Sequence, residues 1–159
     1  MGFICENLNL NQADAAFPLV REAVPGLTLK AWRAFARHQA SPRRAANAGI
    51  MVIRRRARPH PCGLFVYRRE QDLSHGPILV AEHVVAVDVL DARPAMQALL
   101  HEMEDLARRL GCTAIRTVLL GSEVLAADRM AEAGHAPEGE TLWKQLPEAC
   151  SASCGHPGL

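Results

Sequence analysis

Between residues 78 and 120 the chain reads as strand, helix, strand, and that run constrains the fold more than any other feature. Ile78 to Val89 is a long apolar stretch interrupted only by Glu82, His83 and Asp88. Its β-branched content marks a central strand covered on both faces. Met96, Leu99, Leu100, Met103, Leu106, Ala107 and Leu110 then recur at i, i+3, i+4 and i+7, which makes one apolar stripe of a helix. Glu104 with Arg108 and Asp105 with Arg109 stand at i,i+4 in the favourable orientation. Gly111 supplies a left-handed cap, and Thr113 to Leu120 is a second buried strand. The unit is a strand–helix–strand crossover.

Upstream, Phe3–Glu6 is a short strand, and Asn11 with Asp14 has the spacing of a capping box. The helix that follows presents Ala16, Phe17, Val20, Ala23 and Val24 inward, with Pro18 expected to kink or shorten it. Thr28 caps a second helix whose inner face is Leu29, Trp32, Phe35 and Ala36. Gly49–Ile53 and Cys62–Tyr67 are strands, joined to the Ile78 strand by a turn at Asp72–Pro77. Downstream, Ser122 caps a shorter helix that stops at Gly134, and Thr141–Leu146 reads as a last strand. The whole is an α/β chain: a mixed central sheet with helices on both faces. Residues 1–146 form one domain and residues 147–159 a flexible tail.

A chain of 159 residues can bury a sizeable core without disulfides or metal. Its net charge of +1 argues against a nucleic-acid partner, which calls for a basic face. No apolar run is long enough to span a membrane, and the N-terminus lacks the pattern of a secretory signal. Five scattered cysteines suit reduced thiols, so a cytoplasmic location is expected, with Cys5, Cys62 and Cys112 as small core residues.

From Leu79 to Cys112 the sequence resembles the GNAT superfamily of acetyl-CoA-dependent N-acetyltransferases. The likeness is sharpest in Ala98-Leu99-Leu100, in Leu106-Ala107-Arg108-Arg109-Leu110-Gly111-Cys112, and in the helix ending Ala133-Gly134. Phe17-Pro18-Leu19-Val20-Arg21 and Pro25-Gly26-Leu27-Thr28 also resemble members whose first helices cover the acceptor cleft. The resemblance implies a GNAT-like (acyl-CoA N-acyltransferase) fold and transfer of an acetyl group from acetyl-CoA to a small-molecule or peptide amine. It implies Glu82 or His83 as the catalytic base, of which strand alternation lets only one face the cleft. It also implies Val85, Ala86 and Val87 as the backbone that meets the pantetheine arm. The coenzyme's pyrophosphate falls at Arg93, Ala95 and Met96, on the N-terminus of the following helix.

The family's loop carries glycines that let the backbone approach the phosphates; here Pro94 and Met96 stand in their places. Asp91 is placed to take up helix amides itself, and Met130 stands where the family's thiolate-protonating tyrosine falls. A second reading is therefore a catalytically inactive GNAT-like module that binds a ligand or protein partner. A homodimer is compatible with either. Cys150-x-x-x-Cys154-x-His156 lacks the ordered fourth ligand of a zinc centre, and no metal is expected. The arginines from Arg43 to Arg69 read as a charged strand edge.

Overall fold

Strands lie side by side in the order in which the chain makes them, β1-β2-β3-β4-β5. The computed structural model describes residues 2–119 and 124–147. β1 (Phe3–Asn7), β2 (Ala48–Arg55), β3 (Pro61–Asp72) and β4 (Gly76–Ala86) form an antiparallel meander. β5 (Ala114–Val118) then pairs parallel with β4, after the crossover helix α3 (Arg93–Arg109). α1 (Ala13–Ala23) and α2 (Leu29–Gln39) precede β2, and α4 (Val124–Glu132) follows β5.

Two apolar layers sandwich the sheet. On one face Ile50, Val52, Leu64, Val66 and Val85 pack against Ala16, Leu19 and Val20 of α1 and Trp32 and Ala36 of α2. On the other, Ile53, Phe65, Leu79, Ala81 and Val84 meet Met96, Leu99 and Met103 of α3 and Ala126 and Met130 of α4. Each large side chain enclosed this way contributes about 1.5–3 kcal/mol from removal of apolar surface from water. Trp32 also donates its indole N–H to the Ala13 carbonyl at 2.6 Å, which ties α2 to the start of α1. Thr28 caps α2 as expected, accepting the Ala31 amide at 3.2 Å.

Several local expectations are corrected. The first cap is Asn9, whose side chain accepts the Asn11 amide and opens a one-turn 3-10 helix (Leu10–Gln12). Asp14 instead pairs with Arg33 across the α1–α2 contact, since α2 brings a guanidinium within 2.8 Å. α1 runs through Pro18 without ending there. On α3 Arg108 bonds both Glu104 and Asp105, which frees Arg109 to reach Glu102 at 2.6 Å. Gly111 does adopt the left-handed conformation, with φ 68°. Thr141–Leu146 forms no strand: it is irregular, and Leu142 and Trp143 are 87% and 86% exposed. β-propensity alone does not make a strand where no neighbour's backbone is in register to bond it. The Cys150–His156 motif lies outside the described residues.

Cys5, Cys62 and Cys112 are half-buried against the α3-side layer. Burial, helped by the neighbouring Glu102 carboxylate, pushes the Cys5 thiol up to about 11. No described helix is long and apolar enough to cross a membrane.

Candidate active site

A single extra residue in β4 shapes the site. Leu64 pairs with Val85, but Val66 pairs with Glu82, so three steps on β4 oppose two on β3. That is a β-bulge, and His83 takes it up with φ 52°, in the left-handed region that a side chain rarely enters. Holding a residue there costs on the order of 1 kcal/mol, and such strain concentrates at functional sites.

The bulge changes which way side chains point. Ala81 and Val84 both pack in the α3-side layer, so Glu82 and His83, between them, do not alternate across the sheet. Glu82 bonds Arg68 at 3.0 Å, while the His83 ring meets Phe35 of α2 edge-on at 6.1 Å. Both side chains therefore lie on the α1–α2 face, against the expectation that only one could. Alternation holds for regular strand; the inserted residue cancels it.

Their surroundings differ. The Glu82 carboxylate is bound to Arg68, which also bonds Glu70, and its side chain keeps 28% of its exposure. His83 Nδ1 is buried and has no hydrogen-bond partner among the described residues. An unpaired buried ring nitrogen is unfavourable by roughly 1–3 kcal/mol.

Just past this point β4 has no pairing partner on one side among the described residues. The β4–β5 ladder ends at Glu82–Val118, while the β4–β3 ladder continues to Ala86–Gly63. Val87, exposed and beyond the strand's end, donates its amide to the Cys62 carbonyl at 2.8 Å, toward β3. By the two-residue alternation of strand backbone, Ala86 turns its N–H and C=O to the opposite edge, where no described residue of β5 pairs with it. Of the three residues expected to meet a pantetheine arm, Ala86 is thus the one whose backbone groups face the gap, and Val85 and Val87 bond toward β3.

The N-terminus of α3 is built differently. Asp91 accepts the Arg93 amide at 3.0 Å and grips the Arg93 guanidinium at 2.8 Å. These bonds hold the Asp91 carboxyl below the usual carboxylate range. Pro94 has no amide to offer, and the Met96 amide bonds the Ala92 carbonyl at 2.9 Å. Only the Ala95 amide lacks a partner among the described residues, and Ala95 is fully buried. The first turn thus presents a carboxylate where a diphosphate needs amides and positive charge. Met130 is buried in the α3-side layer and has no proton to donate.

Sequence reasoning found Glu82, His83 and Asp91, but it missed Arg68, Phe35 and Asp88. Arg55 clamps Asp88 through Nε at 2.8 Å and lies over the Phe3 ring at 5.1 Å. The Asp88 carboxyl is held below the usual carboxylate range, chiefly by Arg55. The interruption of an apolar strand by Asp88 was the one available signal.

Among solved structures the chain is similar to glucosamine-6-phosphate N-acetyltransferase from Arabidopsis thaliana, with TM-score 0.71 and 13% identity over 92% of this chain and 100% of that one. It is similar to aminoglycoside N-acetyltransferase AAC(6')-Iy bound to a CoA bisubstrate analogue, with TM-score 0.75 and 10% identity over 92% of this chain and 99% of that one. Ribosomal-protein-alanine N-acetyltransferase from Brucella melitensis biovar Abortus 2308 gives TM-score 0.71 at 13% identity over 92% and 100%. No known family's sequence profile and no curated protein matches the chain. The meander, the parallel β4–β5 pair and the crossover helix are those of these enzymes, and the chain has the GNAT N-acetyltransferase fold.

Proposed function

We propose that this chain is an N-acyltransferase that moves an acetyl group from a thioester to a primary amine in the gap beside Ala86. The observation that carries the reading is the His83 bulge. It sets a carboxylate and an imidazole on one face, next to the place where β5 stops pairing with β4. The acetyltransferase neighbours of the fold support it.

Glu82 is the proton acceptor in this reading. Arg68 holds one carboxylate oxygen, Oε2, at 3.0 Å, which leaves Oε1 to take a proton from the attacking amine. His83 stands beside it with a ring nitrogen still to be paired, and it orients the amine or the water through which the proton passes. Ala86 offers an N–H and a C=O to an amide-bearing arm along the strand edge. A thioester donor supplies the activated acetyl carbonyl: the C–N bond forms as the C–S bond breaks, and the thiolate takes its proton from water, since Met130 has none to give. The strand edge fits the arm of a coenzyme A thioester; the α3 terminus does not fit its diphosphate.

The test is thiol release from S-acetyl-pantetheine and acetyl-CoA against a panel of primary amines. Amine-dependent release that falls about a hundredfold in Glu82→Gln supports the reading. No release from either donor with any amine overturns it.

A further inference from the structure

We propose that the acetyl donor is delivered by an acidic carrier protein, on a phosphopantetheine arm, and that this partner docks on the surface formed by Val87–Leu90 and the β2–β3 turn. The proposal rests on the acyl-transfer reading above and concerns what holds the donor's far end.

The α3 corner offers the donor's far end little to hold. A free coenzyme A thioester needs a seat for its diphosphate, and at α3 Asp91 has already taken the Arg93 amide and guanidinium, while Arg129 nearby is paired with Glu132. A carrier-borne arm ends in a single phosphodiester to the carrier itself, so most of its anchoring comes from protein–protein contact. It needs only the strand edge for its amides and the bulge for its thioester.

The loop between β4 and α3 carries an exposed apolar surface instead. Val89 and Leu90 are 87% and 95% exposed, although the core strand β4 ends only three residues before Val89. Their base is held: the Asp88 side chain is only 8% exposed in its clamp with Arg55, and the Val87 amide bonds the Cys62 carbonyl. A locked loop that displays two aliphatic side chains is preorganised to dock, because little freedom is lost on binding.

The same surface is also charged. The β2–β3 turn is bound to this loop by the Arg55–Asp88 pair and the Val87–Cys62 bond. Arg56 and Arg58 on that turn are exposed and make no ion pair among the described residues. Asp88 and Asp91 are each matched by an arginine, so the surface carries the uncompensated charge of Arg56 and Arg58. An apolar knuckle flanked by free guanidiniums is complementary to a partner with an apolar patch in an acidic surround. The transfer itself balances as before: the amine gains the acetyl group, and the carrier leaves with a free thiol.

The experiment compares an acidic acyl carrier protein, acetylated on its phosphopantetheine, with acetyl-CoA and S-acetyl-pantetheine as donors to one amine the enzyme accepts. The acetylated carrier is expected to give a kcat/KM at least about tenfold above acetyl-CoA. Leu90→Asp and Arg58→Glu are each expected to remove most of that advantage while S-acetyl-pantetheine is turned over as before. A carrier no better than acetyl-CoA overturns the proposal and leaves the acyl-transfer reading standing. So do docking substitutions that slow all three donors equally. Failure of every donor, S-acetyl-pantetheine included, removes the acyl-transfer reading and this proposal together.

Discussion

At His83 the chain breaks strand geometry and leaves a ring nitrogen unpaired, whereas at Asp91 it pairs its charge and takes the first helix amide. Both places lie within nine residues along the chain, on β4 and in the loop that leads to α3. The first keeps polar groups available in a strained conformation that the surrounding sheet must hold. The second spends its polar groups on itself: one carboxylate satisfies both the Arg93 amide and the Arg93 guanidinium. What differs is not the kind of residue but whether its hydrogen-bonding capacity is left for something else. A site retained for chemistry keeps such capacity open at some cost in stability. A helix terminus capped by its own carboxylate has little such capacity to give: here the buried Ala95 amide alone.

The contrast can be broken at either end. The largest effect is expected from Glu82→Gln, which keeps the contact with Arg68 and removes the proton acceptor: turnover of a thioester should fall about a hundredfold or more with KM little changed. An unchanged rate would mean that the bulge does no proton transfer. Opening the other end should come next. Asp91→Ala with Pro94→Gly releases Arg93 and adds a first-turn amide, and acetyl-CoA should then bind about tenfold more tightly by calorimetry. No gain would show that the corner is closed for a reason other than Asp91 and Pro94.

A smaller effect separates strain from function. Glycine takes positive φ freely, so His83→Gly should leave the denaturant midpoint unchanged or raise stability by up to about 1 kcal/mol, while turnover falls. A clear loss of stability would mark His83 as a packing residue held by Phe35. The smallest concerns acid. Arg93 and Arg55 hold Asp91 and Asp88 below their unfolded carboxyl values, so their contribution is complete above the unfolded value and is lost as pH falls through the lower folded one. Asp91→Asn should therefore make the acid limb of a stability–pH curve slightly shallower, which equilibrium unfolding from pH 2 to 6 would resolve.

Much of this was legible in the sequence because it depends on local pattern. The α3 stripe from Met96 to Leu110, the Thr28 cap and the Gly111 terminus all follow from spacing and from what each residue's backbone allows. Asp91 as a taker of amides was readable for the same reason. The bulge was not, because a bulge is a property of two strands in register, and nothing in Ala81-Glu82-His83-Val84 announces that Val66 and Leu64 will oppose it unevenly. Alternation therefore put Glu82 and His83 on opposite faces, and only the pairing corrects it. Thr141–Leu146 misled in the other direction, since its strand-forming residues are present but no described strand bonds them.

The difference between the two ends is tested most directly by titrating acetyl-CoA into isotope-labelled protein and following backbone amide shifts. Saturable shifts from Glu82 to Ala86, with Arg93, Ala95 and Met96 left where they were, are the predicted result. A micromolar site whose largest shifts fall on Arg93 and Ala95 would contradict the account, because it would show a diphosphate seated where Asp91 now stands.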